Sequence, residues 1–143
     1  MNQVRKGIYA APLQFSPEVV RQASEKANRE VDHAWSKKGK ANARNTRAWL
    51  FSTSPLKELR NGDQALRDAL EACALTDWKD SSMIDTLAAA YAEKGDYAKA
   101  ITTENRALSL AGQTPKLIAD EHRHLTEYEH RRPYRMSAAD REP

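Results

Sequence analysis

Cysteine is nearly missing from this chain: Cys73 is the only one in 143 residues. No internal disulfide can form, and no cysteine-based zinc site can be assembled. Glycine and proline are sparse at five and six, which fits a helical chain that is not disordered. No apolar run approaches the roughly 18 residues that a membrane-spanning helix needs. The opening MNQVRKGIYAAPLQF is too polar and too short for a signal peptide. No Gly-rich phosphate loop, zinc pattern or G-x-S-x-G elbow is present. These absences lead to the expectation of a non-enzymatic, cytoplasmic protein with no cofactor, no bound metal and no membrane contact.

What is present is a helical pattern. Hydrophobic residues make up 40% and charged residues 30%, and a chain of this length buries one core without staples. Residues 1–15 read as a flexible arm. Ser16 is a cap, Pro17 suits the first helical position, and Phe15 and Val20 have the spacing of a hydrophobic staple. Val20, Ala23, Ala27, Val31 and Ala34 then recur at helical spacing, with Lys37 and Lys38 near the end and Gly39 as the stop. Further helices are expected at about 41–53, after Asn61-Gly62-Asp63, at about 82–94, at about 97–111 and from Pro115 to near Pro133. No segment alternates as a strand does, so the chain is expected to be all-α, with a single domain over 16–135 and a frayed tail at 136–143.

Internal similarity refines this. Thr46, Ala48 and Phe51 match Thr86, Ala88 and Tyr91 at an offset of 40. Ala65, Ala72, Cys73 and Leu75 match Ala100, Ala107, Leu108 and Leu110 at an offset of 35. The first copy has a loop five residues longer, around 54–61. Two antiparallel helical hairpins of one plan follow, at about 41–76 and 81–114, with a capping helix at 115–131. Small residues such as Ala88 and Ala100 let helices approach, and Gly95 permits a tight turn. An isolated hairpin cannot bury both faces and needs neighbours.

Ile84, Leu87, Ala88, Tyr91, Gly95, Tyr97, Ala100, Ala107 and Leu110 fall on the signature positions of a helix–turn–helix unit, and the segment resembles a tetratricopeptide repeat. It departs at Glu104, where a large aromatic is usual, at Gly112, where proline is usual, and at Arg47, where leucine is usual. Residues 41–135 also resemble repeat units of bacterial multi-domain proteins, notably planctomycete ones, ending in a segment like LTEYEHRRPYR. The resemblance implies a short right-handed solenoid whose first helices line a concave groove for a peptide or partner helix. On those positions stand Asn42, Asn45, Trp49 and Ser52 from the first hairpin and Ser82, Asp85, Ala89 and Glu93 from the second. They are mostly neutral or acidic, which disfavours the carboxylate clamp of chaperone-binding members.

The remaining polar and aromatic residues have plainer readings. Glu121 and His124 have the i, i+3 spacing of di-metal carboxylate helices, but such sites need further inward carboxylates. The segment is therefore expected to be the polar face of the capping helix. His122 and His124, two apart, do not form a chelating pair. Cys73 is expected to be a small buried hydrophobe. Trp35 should dock the first helix onto the first hairpin and Trp78 should pin the junction between hairpins. Trp49 is either a groove anchor or packs against the first helix or the expanded loop. Charge is uneven: residues 1–53 hold ten Lys and Arg against four Asp and Glu. The functional expectation is a protein-interaction module, with self-association open to it. The alternatives are nucleic-acid binding through Arg21, Lys26, Arg29, Lys37, Lys38, Lys40, Arg44 and Arg47, or a structural piece of a larger assembly.

Overall fold

The computed structural model describes residues 16–110 and 112–137. The expected arm, Phe15 of the expected staple and residues 138–143 of the expected tail lie outside the described residues. Within them the chain forms six α-helices and no strand. The helices are α1 (Pro17–His33), α2 (Lys37–Thr53), α3 (Gly62–Leu75), α4 (Ser81–Glu93), α5 (Tyr97–Leu108) and α6 (Pro115–Glu129), with a 3₁₀ turn at Lys57–Leu59. None of them is long and apolar enough to cross a membrane.

Each helix start is set by a side-chain oxygen that accepts from an otherwise orphaned backbone N–H. Ser16 accepts from Val19, Ser36 from Gly39, Asn61 from Gln64, Asp80 from Ser82, Asp96 from Lys99 and Thr114 from Leu117. The second of these corrects the sequence reading. Gly39 does not stop α1; it lies in the first turn of α2, where a Cβ would stand 2.8 Å from the capping Ser36 Oγ. Helix α1 ends earlier, at His33, and Trp35 in the short link is 88% exposed. Trp35 therefore does not dock α1 onto the first hairpin among the described residues. Gly95 does make the turn between α4 and α5, with φ +81°.

The order of packing follows the chain. Helix α2 packs on α3 and α4 on α5, while α2 and α3 both pack on α4; α5 packs on α6 and α1 on α2. Helix α4 is central: ten of its 13 residues are buried, Ile84, Leu87, Ala88 and Ala90 among them. Its alanines leave room for helices on several sides, so the alanine run is a packing seam. Ala48, Ala65, Ala69, Ala72 and Cys73 face Ile84 and Leu87 in the main core, with Trp78 packed against it. The Arg106 guanidinium lies 4.5 Å from the centroid of the Trp78 ring, so Trp78 holds the junction between hairpins as expected. Burial pushes the Cys73 thiol up to about 12.

Arg47, a departure from the repeat pattern, is compensated across the hairpin. Its Nε donates to the buried Asp68 Oδ2 at 2.6 Å, and Arg44 Nη1 reaches Asp68 Oδ1 at 3.3 Å. The longer loop after α2 is also ordered. Asn61 N–H donates to Phe51 O at 2.9 Å, and Arg60 donates to Ser54 O at 2.9 Å.

Candidate functional site: a buried carboxylate–histidine cluster

Helices α4, α5 and α6 close around four ionisable side chains. Asp85 comes from α4, Glu104 from α5, and Glu121 and His124 from α6, and all four are buried. The helical period explains the convergence. Ala100, Glu104 and Ala107 share one face of α5, and Glu121, His124 and Tyr128 share one face of α6. These faces pack on each other and on α4, so their polar members are carried inside with the apolar ones. The expectation that Glu121 and His124 form a solvated face is therefore corrected: their exposures are 0% and 3%.

His124 Nδ1 lies 2.8 Å from Asp85 Oδ1. The imidazole is held in aromatic company, with ring centroids 5.3 Å from Trp49 and 4.2 Å from Tyr134. Its Nε2 and the Tyr128 hydroxyl are buried without a hydrogen-bond partner, while the Glu104 carboxyl meets Asp85 and the Glu121 carboxyl lies against Ser81 and Gln113. Among the described residues no lysine or arginine pairs with Asp85, Glu104 or Glu121. Burial, then the neighbouring Asp85 charge, drives the Glu104 carboxyl far above its ordinary range. The same two causes push Glu121 up to about 7, against a smaller opposing pull from His124. Burial also raises the Tyr128 hydroxyl. In this state Glu104 is a neutral acid beside Asp85, because adjacent buried carboxylates cannot all ionise without a cation. One oxygen of Asp85, one of Glu104 and one ring nitrogen of His124 lie within 4.8 Å of one another.

Four of the eight groove residues read from the sequence line one cleft. Asn45, Trp49, Ser82 and Asp85 face Asp120 and His124 across a space of about 250 Å³ between α2, α4 and α6. Asn42 lies apart, exposed near the link between α1 and α2. Ser52 and Ala89 are buried, at 1% and 2% exposure, and offer no open contact to a partner. Glu93 is engaged within the chain by Arg60 at 3.4 Å and Arg135 at 2.6 Å. Trp49 packs within the chain on two sides. It borders a second cleft against Ala23, Ala27 and Glu30 of α1, and it also packs on His124.

The C-terminal segment after α6 supplies what sequence reasoning left open. Tyr134 packs with Ala88, Ala92, Ala100 and Tyr128 in a second core. Arg135 Nη1 donates to Ser52 O at 2.9 Å, and the Met136 N–H donates to Thr53 O at 2.8 Å. The basic N-terminal face is thinner than its composition suggests, since Arg21, Lys26, Arg44 and Arg47 are ion-paired to Glu58, Glu30, Glu71 and Asp68. Comparison of the chain with known protein families, with curated proteins and with solved structures finds no match.

Proposed function

We propose that the chain is a non-enzymatic protein-interaction module of the tetratricopeptide type. In this reading the hairpins α2–α3 and α4–α5 stack as a short solenoid flanked by α1 and α6, and α2 and α4 receive an extended peptide. One observation carries it. Residues 133–137 have neither helix nor strand, and they run from α6 to the C-terminal end of α2 as a bound peptide would. Tyr134 fills a pocket, Arg135 pairs with Glu93, and Met136 makes a backbone bond to Thr53. An aromatic anchor, a charge pair and a main-chain bond are the elements of extended-peptide recognition. The packing order supports the same reading, because α4 touches both helices of the preceding hairpin.

The test uses the full chain with Tyr134→Ala and Arg135→Ala together, which loosens the segment without shortening it. A labelled peptide RPYRMS, the sequence of residues 132–137, should bind this variant weakly, with a Kd on the order of 10–100 μM for a short groove. It should bind the wild-type chain far less, and a further Trp49→Ala change should abolish the interaction. A variant that keeps its helical circular dichroism yet ignores the peptide at millimolar concentration rejects the reading.

A further inference from the structure

We infer that Asp85, Glu104 and His124 form a binding site for one divalent first-row transition-metal ion, which ties α4, α5 and α6 together. The inference is independent of the peptide-binding reading. Three donors from three helices converge, with one ligand atom of each within 4.8 Å of the other two. That is close to the span of a coordination shell with bonds of roughly 2.0–2.2 Å. The second observation is the state of those donors. Glu104 is 0% exposed and accepts no hydrogen bond from any N–H or hydroxyl among the described residues; without a cation its carboxyl meets only Asp85, through the proton it keeps. Buried polar atoms are nearly always paired, so two buried carboxyls and an imidazole that meet one another, with no cationic donor among them, mark a place for a cation.

Charge balance agrees. Asp85 and Glu104, with Glu121 beside them, are buried acids without a lysine or arginine partner among the described residues. A divalent ion would let Asp85 and Glu104 ionise together, releasing the proton that Glu104 otherwise keeps. One imidazole nitrogen and two carboxylate oxygens suit Zn²⁺, Co²⁺ or Mn²⁺ and disfavour Ca²⁺ and Mg²⁺, which prefer oxygen throughout. Entry is available through the cleft between α2, α4 and α6, which is lined by Asp85 and His124 together with Ser82 and Asp120.

The experiment loads the full chain. Protein stripped with chelator is dialysed against Zn²⁺ at pH 7.5, and bound metal is counted by elemental analysis. One equivalent is expected, with a rise in Tm of about 5–10 °C at a hundredfold excess over Kd. Co²⁺ should give visible absorption bands at the same stoichiometry, and Mg²⁺ should do nothing. Glu104→Gln, a near-isostere of the neutral acid, should fold without metal at a Tm close to that of the stripped wild type and lose at least about a hundredfold in affinity. Asp85→Asn should lose binding as well. Less than about a tenth of an equivalent bound, with Tm unmoved, overturns the site. So does binding that survives Glu104→Gln unchanged, as it would on the exposed His122 or His130.

Discussion

His124 Nδ1 and Asp85 Oδ1 meet at 2.8 Å although 39 residues separate them in the chain. The contact joins the capping helix to the central one, and both side chains are nearly buried. His124 also completes a cluster of three rings with Trp49 and Tyr134, which touch each other at 5.9 Å between centroids. His124→Ala removes a buried partner from Asp85 and takes one ring out of that cluster at the same time. A loss of about 3 kcal/mol in unfolding free energy is expected. Urea denaturation of the metal-free chain measures it. A loss below about 0.5 kcal/mol would mean that the contact contributes nothing net.

The same cluster gives the fold an inverted pH response. Glu121 has its pKa raised to about 7, chiefly by burial and then by Asp85, from an ordinary 4.5. Below pH 4.5 both folded and unfolded states hold this proton. Between 4.5 and 7 only the folded state does, so stability falls as pH rises through that window. The total for a shift of this size is about 3 kcal/mol. Glu104 shifts in the same direction. In the presence of chelator, the urea midpoint should therefore decline from pH 5 to pH 8, and Glu121→Gln should flatten the decline. A midpoint that climbs over this range would show that Glu121 is ionised in the folded protein.

Arg47 and Asp68 make a third prediction. Asp68 is 1% exposed and takes its closest contact, 2.6 Å, from Arg47 Nε. Arg47→Leu installs the residue usual in tetratricopeptide repeats, but it strips a buried carboxylate of its main partner. The cost should be about 3 kcal/mol. Arg47→Leu combined with Asp68→Leu should recover most of that, since an apolar pair replaces an ion pair at little net cost. Chemical denaturation of the two single variants and the double variant completes the cycle. Additive losses would show that the two side chains are not coupled.

The helical class is legible in the sequence because the apolar spacing and the breaks at Asn61, Gly95 and Pro115 are local signals. The link between α1 and α2 is harder to read because two signals compete within four residues. Gly39 suggests an end and Ser36 a beginning, and the hydrogen bond from Gly39 N to Ser36 Oγ at 3.0 Å decides for the beginning. The cluster is concealed for a different reason. Glu104, Glu121 and His124 look like surface residues until α6 closes on α5. One trace of it exists in the sequence. Glu104 stands between Ala100 and Ala107 on the small-residue face of α5, where a large aromatic is usual in the repeat, and a charge on a packing face asks for a partner. The covering of Ser52 is also a tertiary effect, since Arg135 reaches the Ser52 carbonyl from 83 residues away.

The C-terminal segment should behave as part of the folded unit. Tyr134 is 8% exposed and shares a core with Tyr128 and Ala88, and the Met136 N–H is bonded to Thr53 O. In wild-type protein the Met136 amide should exchange with solvent deuterons far more slowly than a free chain end does, and trypsin should cut after Arg135 slowly. Tyr134→Ala removes the buried ring, which should destabilise the fold by about 3 kcal/mol. It should also release the segment, so that Met136 exchanges fast and Arg135 is cleaved early while α2 to α5 stay protected. The two effects are separable, because global unfolding would expose all the helices at once and local release exposes only the segment. Exchange of Met136 at the rate of an unstructured peptide in the wild-type chain would remove both the anchor and the groove occupancy that the proposed function rests on.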